Sequence, residues 1–299
     1  MLISTAGRAL PFGVASIGAD AETARHDVVL ASVPAHFRRV DRADAPVVLV
    51  SAAADDWLEQ CRVAICAPTT AAVVLSRAGL AEPAQVRALH VYARKHSVAV
   101  VVSSPFATRA LARAADDIRR DGSAAAAVDM LLTSDDDPGG RSADRLRVAL
   151  LHELAVTRSL AGRPSGATVC HRSAGSYLVS GSVGRTPVLL SGVLTDTAGL
   201  RLEIDVVGSR RRWKVCRDSA APADPTTITM LDDAGRHVTP GHYEGGERAG
   251  WLRVHDMLTS GRHDAQDLVA LAGDLEIVAD TLGLADEHPA PEAPLSGPS

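Results

Sequence analysis

His152 is the side chain best suited to acid–base chemistry, because an imidazole titrates nearest to neutral pH. It stands in Leu151-His152-Glu153-Leu154. The plainer reading is a helix histidine beside Val148, Ala155 and Val156 that finds one hydrogen bond. That reading is favoured, since no carboxylate lies one turn away to orient the ring. The His-Glu pair also invites a zinc-protease reading, but that motif needs a second His four residues on, where Val156 stands. Lysine is scarce, with only Lys95 and Lys214. Arg77 could hold an anion, yet a guanidinium stays protonated and cannot serve as a base; an Arg after an apolar run more often marks the surface. Pro68-Thr69-Thr70 could hydrogen-bond a ligand at a strand end, with turn formation as the equal alternative. No G-x-S-x-G elbow, P-loop or metal-ligand cluster occurs. Cys61, Cys66, Cys170 and Cys216 are scattered, which suits reduced thiols in cytoplasm better than disulfides or zinc.

The elements that must position these residues change character along the chain. Phe12–Ile17, Asp27–Leu30, Pro46–Val50 and Arg62–Cys66 are continuous apolar runs of the kind found in parallel strands covered on both faces. A helix is expected from Glu82, with Pro83 at its first position and Val86, Leu89, His90 and Ala93 as its buried stripe. It leads to a strand at Val98–Val102, then to a helix carrying Leu111, Ala114, Ala115 and Ile118 and stopping at Gly122. The acidic run Asp135–Gly140 reads as a solvated turn. Ala143–Ala161 is a strongly apolar helix ended by Gly162. From Ala167 to Val238 short strands alternate with turns, which favours an antiparallel sheet. Two helices close the fold, marked by Trp251, Val254, His255 and Leu258, then by Leu268, Leu271, Leu275, Val278 and Leu282. Residues 285–299 are Pro-rich and are expected to form a flexible tail.

Bulk composition narrows the function classes. The 299 residues are 46% hydrophobic and 22% charged, with a net charge of −5. That balance fits a globular chain and argues against nucleic-acid binding, which needs a basic face. No apolar stretch approaches the roughly 20 residues needed to span a bilayer, and no secretory signal is expected in the first residues. With aromatics at 3%, the core must rest on Ala, Val and Leu.

Several stretches, in this order, resemble the glucose–fructose oxidoreductase/inositol dehydrogenase (Gfo/Idh/MocA) family. Val63-Ala64-Ile65-Cys66-Ala67-Pro68-Thr69 resembles its strand ending in a T-P-N turn. Ala93–Val98 with the following strand and helix resembles its crossing between domains. Leu151-His152-Glu153-Leu154, running on to Gly162, resembles its I-H-x-L-D helix, and Leu202–Gly208 its L-x-I-x-G strand. The likeness runs from about Arg62 to Leu284. It implies an α/β protein with a truncated, degenerate Rossmann-like domain over 1–105. An α+β domain with a mainly antiparallel sheet and returning helices then covers 106–284.

The departures from that family direct the functional expectation. The family's lysine, in an E-K-P motif, falls on Ala78 of Arg77-Ala78-Gly79. Its carboxylate before the histidine falls on Val148, and no G-x-G-x-x-G turn is present. The stretch from Pro68 to Leu80 is also too short for the family's helix and strand. The expected protein has therefore lost NAD(P)-dependent hydride transfer and binds no cofactor. It works as a binding or partner subunit, with His152 as the catalytic candidate and Pro68, Thr69, Thr70 and Arg77 as cofactor-site candidates. The resemblance implies pairing through the C-terminal sheet, as a homodimer or a heterodimer with a related oxidoreductase. The alternative is a divergent NAD(P)H-dependent reductase of the thiazolinyl imine reductase type, in which loss of the lysine is tolerable.

Overall fold

The computed structural model describes residues 10–18, 21–120, 125–135, 142–195, 199–218 and 225–283. The expected tail and the stop at Gly122 lie outside them, as does the expected turn at 135–140 apart from Asp135, which ends a strand. A five-stranded parallel sheet comes first, with β1 (Phe12–Ile17), β2 (Phe37–Arg39), β3 (Val47–Val50), β4 (Ala72–Leu75) and β5 (Ala99–Val102) in the order β2-β1-β3-β4-β5. Every residue of β3 and β4 is buried, as two covered faces demand. Alternate residues go to opposite sides. Val48, Val50, Val73 and Leu75 pack toward α2 (Trp57–Cys66) and α3 (Pro83–Lys95), within the larger apolar core. Val47, Leu49, Ala72 and Val74 pack toward α1 (Ala21–Ala31) and the returning helix α6 (Gly246–Thr259).

Two expected strands are helices. Asp27–Leu30 lies inside α1 and Arg62–Cys66 inside α2. A run of four or five apolar residues carries no period of its own, so it cannot separate a strand from a buried helix. The buried positions decide it: Trp57, Cys61, Ala64 and Ile65 follow helical spacing. The helix thought missing after Pro68 therefore lies before it, and the short stretch holds only β4.

The second sheet has eight strands in the order β13-β12-β11-β10-β6-β9-β8-β7. They are β6 (Ala125–Asp135), β7 (Ser165–Arg172), β8 (Ser176–Val183), β9 (Thr186–Thr195), β10 (Arg201–Gly208), β11 (Arg212–Asp218), β12 (Thr226–Asp232) and β13 (Gly235–His242). All neighbours are antiparallel except β6 and β9. Along β10, Leu202, Ile204 and Val206 are buried while Arg201 and Val207 are exposed, the alternation of a sheet covered on one face. The covering helices are α4 (Arg109–Arg120), α5 (Ser142–Leu160) and α7 (Gln266–Leu282). α7 also packs on α3 and β5, so the larger core runs from one sheet to the other. Among the described residues no helix is long and apolar enough to cross a membrane.

Candidate functional site

The helix α5 is buried along most of its length, and its two sides carry polar groups of opposite character. His152 faces the junction between the sheets. It is 5% exposed and lies edge-on to Phe106, ring centroids 5.6 Å apart. Among the described residues its ring nitrogens take no hydrogen bond. Burial, then the charge of Arg77, pushes its pKa down to about 4, so the imidazole is neutral near pH 7.

His152 borders a cavity of about 240 Å³ between the end of β5 and helices α4, α5 and α7. Two other polar groups line it with unused capacity. Ser103, just past β5, is 2% exposed and Asp274 of α7 is 2% exposed; among the described residues Ser103 Oγ and Asp274 Oδ1 have no hydrogen-bond partner. The other oxygen of Asp274 takes a hydrogen bond from Arg158. Burial raises the Asp274 carboxyl, and Arg158 opposes that shift. At the far wall Arg253 Nη1 donates to Asp267 Oδ1 at 3.2 Å, while Val102 N donates to Asp267 Oδ2 at 2.9 Å. Both guanidinium groups are thus engaged, and the open positions are an imidazole, a hydroxyl and one carboxyl oxygen. That set can bind a small polar ligand by hydrogen bonds.

Arg77 and Ala78 come just after β4 at the carboxyl edge of the parallel sheet, where open α/β sheets place ligands. Ala78 lines the cavity, so the position where the resemblance expects a lysine carries a methyl group. The expected carboxylate is equally absent, for Asp144 binds Arg147 at 2.7 Å instead.

Pro68, Thr69 and Thr70 are not brought near this group. They join α2 to the start of β4, at the opposite edge of the sheet, where Thr70 N closes a turn on Ala67 O at 3.1 Å. At the carboxyl edge β3 runs instead into Ser51-Ala52, and Ala52 N donates to Ser76 Oγ at 3.1 Å. Behind it Trp251 Nε1 donates to His26 Nδ1 at 3.0 Å, which leaves His26 Nε2 to donate to Ser76 O at 3.2 Å. Burial lowers the His26 pKa. The sequence alone singles out none of His26, Ser103 and Asp274. Asp274 carried a signal, since it interrupts the apolar stripe of Leu271, Leu275 and Val278.

No family model and no curated protein matches the chain. Solved structures match it over nearly its whole length. A dehydrogenase (MviM) from Clostridium difficile is 8% identical with a TM-score of 0.68, covering 90% of this chain and 98% of that one. UDP-N-acetylglucosamine 3-dehydrogenase GnnA from Acidithiobacillus ferrooxidans is 13% identical at 0.67, covering 92% and 99%. KijD10, a 3-ketoreductase from Actinomadura kijaniata solved with NADP and TDP-benzene, is 16% identical at 0.64, covering 91% and 97%. The class defined is an α/β fold with a Rossmann-like parallel sheet and a mostly antiparallel second sheet. In particular, it is the oxidoreductase-like fold of Gfo/Idh/MocA type.

Proposed function

We propose that this chain is a non-catalytic relative of the oxidoreductases whose fold it shares: a binding or partner subunit that neither holds NAD(P) nor transfers hydride. In this reading residues 1–105 keep the Rossmann-like frame, 106–284 carry the pairing face, and the ligand cavity is lined from both. The observation that carries it is the junction cavity, where a neutral His152 faces Arg77 and Ala78 and no lysine is at hand. Proton transfer to a carbinol oxygen needs a group that cycles near neutral pH. An imidazole held at about 4 beside a permanent cation does not.

The residues present do not fit the coenzyme's pyrophosphate. Gly18, Asp20 and Thr23 stand at the spacing of the three glycines in a G-x-G-x-x-G turn. Gly18 has φ +88°, the left-handed conformation that glycine favours in such a turn. At the second of these positions the sequence has Asp20, a carboxylate where the motif has a bare glycine that lets phosphate approach the backbone. Thr23 is 4% exposed and fills the space the third glycine leaves.

Pairing through the outer face of the second sheet belongs to the same reading, as a homodimer or a heterodimer with a related oxidoreductase. Leu131 and Val207 are exposed on that face, beside the ion pair of Lys214 and Glu203 at 3.3 Å. Asp129 and Asp205 stand opposite each other there, and the Asp129 carboxyl is raised by burial and by Asp205. Arg212 already donates to both oxygens of Asp205, at 2.7 Å and 3.0 Å from Nε, so Asp129 is the carboxylate a partner's cation would meet. Calorimetry with NADH and NADPH should show no tight binding to the purified protein, while sedimentation at micromolar concentration should show association. Micromolar affinity for either coenzyme would overturn the reading in favour of a reductase. A monomer under all conditions, alone and with related oxidoreductases, would remove the partner role.

A further inference from the structure

A second concavity, of about 510 Å³, shares no lining residue with the His152 cavity and lies between α4 and the β11–β13 end of the second sheet. Its cause is the small size of two helix residues. Ala110 and Ala114, one turn apart, are what α4 offers to Trp213 and Ile228 across the gap, and methyl groups do not fill it. The floor is therefore apolar, with Trp213 4% and Ile228 7% exposed. The rim is basic in a chain whose net charge is negative: Arg113 and Arg120 come from α4 and Arg211 from the start of β11.

The three guanidinium groups are not equivalent. Arg120 pairs with Asp117 at 3.2 Å and Arg211 with Asp232 at 3.8 Å. Among the described residues Arg113 makes no hydrogen bond or ion pair. One uncommitted guanidinium above an apolar trough is complementary to a single negative charge carried on an apolar body. Its planar fork matches a carboxylate in particular. We propose that this groove binds a small amphipathic carboxylate, its apolar part against Trp213 and Ile228 and its headgroup on Arg113. The volume suits a ligand in the small-molecule range rather than a protein segment. This site goes beyond the functional reading above and stands independently of it.

Decanoate is the probe, monitored by calorimetry and by the emission of Trp213, with a Trp213→Phe variant to assign the signal. One decanoate should bind per chain, with a dissociation constant below about a millimolar, and decanol should bind markedly more weakly. Arg113→Gln should weaken decanoate about tenfold, the loss of one charge-assisted contact. Arg62→Gln, on α2 and outside the groove, should leave it unchanged. Arg113 is exposed, so its replacement tests binding and not folding. Absence of saturable decanoate binding would overturn the proposal. So would affinity that survives Arg113→Gln, or decanol binding as tightly as decanoate.

Discussion

Adjacent residues of one helix, His152 and Glu153, open onto two regions that handle buried polarity in opposite ways. Glu153 faces the second sheet and is 0% exposed. Its carboxyl accepts from Tyr177 Oη at 2.7 Å and from Ser191 N at 3.2 Å, so its oxygens are engaged. His152 faces the junction, equally enclosed, beside a cavity whose hydroxyl and carboxyl oxygen have no partners among the described residues. A buried polar group with its partners fixes packing, while one left without them is the expected mark of a ligand position. The pair therefore separates a structural polar network from a candidate site on a single turn of helix.

The largest expected effect strikes the structural side. Glu153→Ala leaves the Tyr177 hydroxyl and the Ser191 amide buried without an acceptor and opens a void, and should cost about 3 kcal/mol. Burial raises the Glu153 carboxyl well above the usual carboxylate range, against the pull of its hydrogen bonds from Tyr177 and Ser191. Glu153→Gln, which resembles the protonated acid, should therefore cost no more than about 1 kcal/mol at neutral pH. Denaturant midpoints of the two variants decide it. If Glu153→Ala proved as mild as Glu153→Gln, the network would not be what holds α5 to the sheet. The Tyr177 ring is itself held closely, since a Cβ on Gly192, its cross-strand neighbour on β9, would clash with it.

A second, smaller effect separates the two residues by pH. The folded pKa of His152, about 4, lies below its unfolded value of 6.5. Between those values the unfolded chain binds the extra proton, so stability is full above about 6.5 and falls as pH drops toward 4. By pH 5 the loss should be roughly 2 kcal/mol. Glu153 works in the other direction. Its folded pKa is raised, so its contribution is full at low pH and is lost as pH rises through that value. His152→Leu should flatten the acid limb of a melting-temperature profile and leave the alkaline limb, while Glu153→Gln should do the reverse. An acid limb that persists in His152→Leu would assign it to other groups.

The sequence disclosed the elements with a clear period and hid those without one. α3, β5, α5 and both returning helices were legible because Pro83, the apolar stripes and Gly162 mark them within a residue or two. α1 and α2 were mistaken for strands where Val28-Val29-Leu30 and Val63-Ala64-Ile65 stand without flanking period. The error carried Pro68–Thr70 to the wrong edge of the sheet. Edge strand β7 escaped notice because Ser165–Arg172 is mostly exposed and has little apolar alternation. His152 was legible by its chemistry. Ser103 and Asp274 were not, because their shared cavity joins positions 171 residues apart and no local pattern reports such a meeting.

The smallest expected effect tests the functional side of the comparison. His152→Ala at neutral pH breaks no hydrogen bond, removes the edge contact with Phe106 and enlarges a cavity that is already hollow. A cost of about 1 kcal/mol is expected, read as a shift in denaturant midpoint, because no polar partner is stranded and the ring carries no charge there. In a non-catalytic subunit the variant should also keep its partner affinity, measured by sedimentation beside the wild type. A folded His152→Ala protein that lost its biological activity while keeping its partner would place the imidazole in direct contact with a reacting or bound molecule. The open polar positions of Ser103 and Asp274 would then belong to that molecule's site as well, and Ser103→Ala, which breaks no pairing among the described residues, should lower its affinity without moving stability by more than about 1 kcal/mol.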